Sequence, residues 1–296
     1  MDCFLRGMVP NDAIVVGIAT TTDMCRNAQR VHELGATSAV ALGRLMTAAV
    51  LTGLLQKLPG AVSLQVVCGG RLKQVFADIT DQGAVRGYVK PPNLALPPLT
   101  DEQRLGRRTL SHVVGNGSLS VIRSTEGQPF TQSSTNLVAG EIDVDVEHFL
   151  ETSDQIPSAI ATDVLLDEQG HVRLAAGALA QAKPGASSKT LDKIRESLSL
   201  GAFTRLLETK RDRATDLMDA LVPGANVDPP VDVGWQCRCS PERVQASLRM
   251  LEPEDFADLV SRNVGVTVTC DFCKTAYDVS PEEIERAYTT TIKGNG

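Results

Sequence analysis

Aromatic residues are scarce: Phe, Tyr and Trp make up 4% of the 296 residues, with a single Trp. Aliphatic side chains must therefore build most of the core. Positive charge is short as well: 29 Lys and Arg face 36 Asp and Glu, a net charge of −7. With no Lys/Arg run and no basic–aromatic interleaving, the chain lacks the basic face that nucleic acid or an anionic membrane would need. The N-terminus, MDCFLRGMVPND, has no apolar stretch of signal-peptide length. No Gly-Lys-Ser/Thr phosphate loop occurs, which argues against ATP. Gly115-Asn116-Gly117 leads into an alternating strand pattern and reads as a turn. His32, His112, His148 and His171 are isolated, without metal-ligand spacing. Together these absences predict a cytoplasmic protein that is no enzyme and has no nucleic-acid, membrane or ATP partner. Disorder is excluded too, at 42% hydrophobic and 22% charged.

What is present is a mixture of strand and helix signals. Asp12–Ala19 and Val62–Cys68 are β-rich runs, and Gln74–Val89 is a hairpin around Asp81-Gln82-Gly83. Asp23 is a candidate helix N-cap and Gly35 a stop. Ser38–Lys57 is apolar on most of its circumference, so it needs protein on more than one side; sheets caging a helix would supply that. Its 39–55 stretch is the nearest thing to a membrane span, but it is short, carries Arg44, and has Gly43, Ala48, Ala49 and Gly53 for close packing. A proline-rich loop spans Lys90–Leu99, a helix Glu141–Thr152, and strands return through Leu165 and Val172–Ala182. Without regular βαβ alternation the fold class is α+β. The expected organisation is a core at 1–184 of sheets layered on a buried helix, a helical linker at 185–230, and a small C-terminal domain at 231–296. In the linker, Leu191, Ile194 and Leu198, then Ala214, Leu217, Met218 and Leu221, form narrow apolar stripes that need docking for order. The stripes by themselves favour an ordinary interdomain linker over a conditionally folded one.

Cys3, Cys25 and Cys68 are scattered; Cys68 and its two companions read as small hydrophobes. Cys237-x-Cys239 and Cys270-x-x-Cys273 are paired, a spacing that can converge on one tetrahedral ion. Four soft thiolates select one Zn2+ per chain, with iron the lesser fit. The domain around them offers only Trp235, Leu248, Leu251, Phe256, Leu259, Phe272, Tyr277, Ile284 and Tyr288 as large apolar groups. Such a unit is marginal unaided and usually needs a metal or a disulfide. With every ligand a thiolate, no position is open for a substrate. The site is thus either structural or a switch, because zinc keeps sulfur in its oxidisable thiolate form and each thiolate has a neighbour to pair with.

The Cys-x-Cys-Ser-x-Glu-Arg run at Cys237–Arg243 and the Cys-x-x-Cys-x-x-x-Tyr run at Cys270–Tyr277 resemble the 33 kDa chaperonins, redox-regulated heat-shock chaperones. The likeness extends through Ala41-Leu42-Gly43-Arg44, Gly115-x-Gly117-x-Leu119-x-Val121, Gly140-Glu141-Ile142, Ser153–Ser158 and Pro184-Gly185-Ala186. This resemblance implies a reduced, zinc-bound, inactive state. It implies that peroxide with heat, or hypochlorous acid, pairs Cys237 with Cys239 and Cys270 with Cys273. Zinc is then lost, the C-terminal domain and the linker unfold, and a homodimer holds unfolding clients without ATP. The alternative is a constitutive binding module with a purely structural zinc.

Overall fold

The computed structural model describes residues 1–56, 59–96, 109–125, 127–199, 201–210, 213–248, 250–262 and 264–294. The expected helix end at Lys57, the Pro97–Leu99 part of the proline-rich loop and the side chain of Tyr288 lie outside the described residues. Backbone contacts divide the chain into two units, Met1–Gln236 and Cys237–Gly296.

The first unit opens with β1 (Cys3–Met8), β2 (Ile14–Thr20), α1 (Thr22–His32) and α2 (Ala36–Leu55). Then come β3 (Ala61–Cys68), β4 (Gln74–Thr80), β5 (Ala84–Lys90), α3 (Ser111–Val114), β6 (Gly117–Ser124) and β7 (Thr131–Asn136). After α4 (Ile142–Thr152) follow β8 (Ser158–Leu166), β9 (Val172–Ala182), α5 (Ser188–Ser197), α6 (Ala202–Lys210) and α7 (Ala214–Leu221). Three two-residue strands close it: β10 (Asn226–Val227), β11 (Val231–Asp232) and β12 (Gly234–Trp235). One sheet has the order β10-β1-β2-β9-β8, with β11 also on β1, and the other β12-β5-β4-β3-β6-β7. Neighbours are antiparallel except for β12 on β5. This is the α+β architecture expected.

Helix α2 is caged between the sheets, packing on β4, β5 and β3 on one side and β9, β8 and β2 on the other. Leu42, Leu45, Met46 and Leu51 are wholly buried, each contributing roughly 2 kcal/mol. Gly53 is needed here, because a Cβ would stand 2.5 Å from Ile79 Cγ2. Ala36–Leu55 is the one described helix long and apolar enough to cross a membrane, and it is core. Arg44, at its centre, is 1% exposed and bonds Glu141 at 2.6 Å and Asp143 at 2.5 Å.

Strand β2 is buried along its whole length because both its faces are covered. Val15 and Ala19 face the α2 core, whereas Ile14, Val16 and Ile18 join a second cluster under α5, α6 and α7. Leu191, Ile194, Leu198, Leu217, Met218 and Leu221 fill that cluster, so the linker helices gain their order by docking.

The structure departs from the sequence reading at several points. Asp23 is not the cap of α1; the Asp2 carboxylate, brought round by β1, accepts from the N–H groups of Asp23 at 3.0 Å and Met24 at 2.6 Å. The helix stops in a left-handed turn at Glu33, and Gly35 precedes α2, which starts at Ala36 instead of Ser38. Residues 231–236, expected with the C-terminal domain, belong to the first unit. There the Trp235 ring meets the His32 ring edge-on, 5.7 Å between centroids.

The second unit holds α8 (Pro241–Leu248), α9 (Pro253–Arg262), the hairpin β13 (Val266–Thr269) and β14 (Ala276–Val279), and α10 (Pro281–Gly294). Its core is small: Val244, Leu248, Phe256, Val279, Ile284 and Ala287, flanked by Leu259 and Tyr277. Leu251, expected among them, is exposed.

Candidate metal centre

Each cysteine pair sits where the backbone turns. Cys270 and Cys273 lie at the tip of the β13–β14 hairpin. Cys270 N donates to Thr275 O and Lys274 N to Cys270 O, both at 2.9 Å, and Lys274 adopts a φ of 61° to close the turn. Cys237 and Cys239 occupy the irregular segment before α8. Arg243 reaches back from that helix and donates to the carbonyl of Arg238, between the two cysteines, at 2.8 Å. Ser240 starts α8, its hydroxyl accepting from Arg243 N at 3.3 Å with Pro241 at the first helical position. The same device starts α10, where Ser280 and Glu283 exchange bonds as a capping box. The Ser-x-Glu-Arg part of the motif is thus a helix start that aims the first cysteine pair.

The four sulfurs converge, with all Sγ atoms within 4.8 Å of one another. Cys237 and Cys270 are 3.7 Å apart and Cys239 and Cys273 3.4 Å. Zn–S bonds of 2.3 Å in a regular tetrahedron separate sulfurs by about 3.8 Å, so the cluster has the size of one thiolate-bound ion. All four residues are half-buried, and among the described residues no carboxylate or imidazole joins them.

Without a cation the cluster cannot hold four negative sulfurs. Burial foremost pushes the Cys237 thiol up to about 12, reinforced by its thiol neighbours. Burial likewise raises Cys270. Cys273 is the exception: burial's upward push is outweighed by hydrogen bonds from Thr275 and from the other thiols, which bring it down to about 7. Tyr277, whose Oη lies 2.9 Å from Cys239 Sγ, is raised to about 12, first by that hydrogen bond and then by burial. It therefore stays protonated and can donate to a thiolate. Its role was not legible in the sequence beyond its place in the motif, because the contact depends on the register of β14.

The other candidates are elsewhere. Cys25 and Cys68 are buried in the first unit, and burial raises both thiols, Cys68 to about 11. Cys3 is only half-buried, its sulfur 3.6 Å from the Thr20 hydroxyl. His32 ends α1 and is buried, and no histidine lies in the cluster.

Nearly the whole chain has relatives. A family profile described as Hsp33 protein matches residues 2–280. The 33 kDa chaperonin of Acaryochloris marina is 36% identical over 96% of this chain and 95% of its own. That of Listeria innocua is 30% identical over 97% and 98%. The chain belongs to the 33 kDa chaperonin family. The crystal structure of the 33 kDa chaperonin from Thermotoga maritima, 24% identical, superposes with a TM-score of 0.82 over 99% of both chains and shows the same fold. The 33 kDa chaperonins are chaperones and not enzymes, and a half-buried four-cysteine cluster in one of them is consistent with a redox-regulated holdase.

Proposed function

We propose that this protein is a redox-switched, ATP-independent holdase of the cytoplasm whose sensor is Cys237, Cys239, Cys270 and Cys273. The convergence of the four sulfurs within 4.8 Å carries the reading. Zn2+ bound there would keep the sulfurs as thiolates and add on the order of 10 kcal/mol of folding free energy to a unit with a small core. In the reduced state the four thiolates hold the hairpin tip against the start of α8.

Each disulfide forms from two thiolates, two protons and one peroxide, which is reduced to two waters; a chain thus consumes two peroxides. We assign the pairs Cys237–Cys239 and Cys270–Cys273. These are the pairs that the resemblance to the 33 kDa chaperonins implies. Disulfide formation removes the ligands and the folding free energy together. The 185–230 helices, ordered by docking, are then released, and the apolar cluster beneath them opens to unfolding clients, with a second copy of the chain completing the active form.

The test is to treat zinc-loaded protein with peroxide at heat-shock temperature and follow zinc release, thiol loss, disulfide mapping, sedimentation and suppression of a model client's aggregation. Zinc release without any gain in client binding would overturn the reading. Cys270→Ser is expected to lower zinc affinity and loosen Cys237–Gly296; unchanged metal content in that variant would refute the ligand assignment.

A further inference from the structure

Residues 226–236 run along one edge of each sheet. β10 and β11 lie antiparallel on β1, with Met8 opposite Asn226 and Phe4 opposite Val231. β12 lies parallel on β5, with Val85 opposite Trp235. Asp228 N donates to Arg6 O at 2.8 Å, Gly234 N to Gly83 O at 3.0 Å and Gln236 N to Val85 O at 2.8 Å. The Arg6 guanidinium adds an ion pair to Asp228 at 3.0 Å. A single extended segment therefore occupies outward peptide groups of both sheets.

The opposite edges are treated differently. β8 is closed by side chains: Glu147 accepts from Ile160 N at 3.0 Å and Arg195 donates to Ser158 O at 2.8 Å. β7, TQSSTN, is short and polar, a poor template for apolar strands. Among the described residues, only β1 and β5, which carry Phe4, Leu5, Val85 and Val89, are filled by backbone. The filling is slight, because β10 and β11 are two residues each and exposed, with Val227 46% and Val231 40% accessible. Along 226–232 its hold is peptide hydrogen bonds and one ion pair; the later part adds Val233, buried in the first core, and Trp235, packed against that core and His32.

We propose that this tail is an internal stand-in for client. The edges of β1 and β5 are docking sites for the extended backbone of an unfolding polypeptide, and residues 226–236 keep them filled until the tail is released. Pairing through peptide groups is indifferent to side-chain sequence, which suits a binder of many clients. The inference rests on the holdase reading and adds the mode of client capture to it.

The test works on the reduced, zinc-bound full chain. Asp228→Pro with Gln236→Pro deletes two of the tail's donors, and the ion pair with them, while leaving β1 and β5 intact. Gly83→Ala attacks from the other side, because a Cβ there would stand 2.2 Å from Asp232 O and the residue's φ is +79°. The probe is a permanently unfolded, reduced and alkylated polypeptide, followed by fluorescence anisotropy, with zinc content as the check on folding. Each variant is expected to bind it more tightly than the reduced parent by on the order of tenfold, since apparent affinity scales with the open fraction. Excess peptide of residues 224–236 is expected to compete, and its backbone N-methylated form is not. A variant that keeps its zinc, loses amide protection along 226–236 and still binds no better than the parent overturns the proposal. If the double variant loses its zinc, Gly83→Ala decides. An oxidised parent that fails to hold client refutes the holdase reading instead, and the reduced variants still decide the edges.

Discussion

Arg44 places a full charge in the middle of an apolar helix and is balanced from outside it. Glu141 and Asp143 pair with its guanidinium, and the second Glu141 oxygen accepts from Leu110 N at 2.6 Å and Ser111 N at 3.0 Å. Arg44→Met would strand two buried carboxylates. It is expected to cost about 3–5 kcal/mol in denaturant unfolding of the first unit, with Glu141→Gln and Asp143→Asn added to Arg44→Met recovering most of it. Burial alone would raise Glu141, but Arg44 and the two backbone donors hold it below its ordinary 4.5. Its contribution is therefore present above that value and lost as pH falls through the lower folded one. Asp2 has the opposite sign. Burial pushes it from 3.8 up to about 6, against the bonds from Asp23 and Met24. The fold thus favours its protonated form, a contribution present below 3.8 and lost as pH rises through about 6. Thermal melts are expected to show the parent losing stability across that window relative to Asp2→Asn, which keeps an acceptor for the helix without the charge.

At the scale of elements, the β13–β14 hairpin is the scaffold of the proposed sensor. It presents two of the clustered cysteines at its tip and Tyr277 from its second strand, 2.9 Å from Cys239 Sγ. Tyr277→Phe keeps the ring in the small core and removes only the hydroxyl. Loss of that outer contact is expected to weaken zinc binding by roughly 10–100-fold in chelator competition and to speed oxidation of the cluster. Circular dichroism of the zinc-saturated variant should match the parent. A collapse of the fold instead would mean that the hydroxyl holds the hairpin, and its action on the metal would be indirect.

At the scale of the whole molecule, the two units differ in what stabilises them. The first has an extended aliphatic core around α2 and a second beneath α5–α7, whereas the second has, among the described residues, six buried apolar side chains and four thiols. Calorimetry is expected to show two transitions, and a zinc chelator to abolish the smaller while sparing the larger. The single Trp is in the first unit, on β12 against His32, so it reports on the tail and not on the metal. Its emission is expected to shift to the red on oxidation. If zinc leaves and thiols are lost while the Trp spectrum stays unchanged, the tail has not been released.

The sequence by itself determined the four-cysteine cluster, the buried helix and the α+β class, because each rests on local pattern: Cys spacing, all-round apolarity, and strands without regular βαβ alternation. Short strands and caps escaped it. β10, β11 and β12 are two residues each, too short for periodicity, and exist only because β1 and β5 offer edges to them. The Asp2 cap joins groups 21 and 22 residues apart, and the Arg44 cluster spans almost a hundred. Such pairings are decided by which surfaces the sheets bring together, and a linear pattern carries no record of them. For the same reason the linker's stripes showed that it must dock, while only the tertiary structure showed the outer face of β2 and β9 as the place.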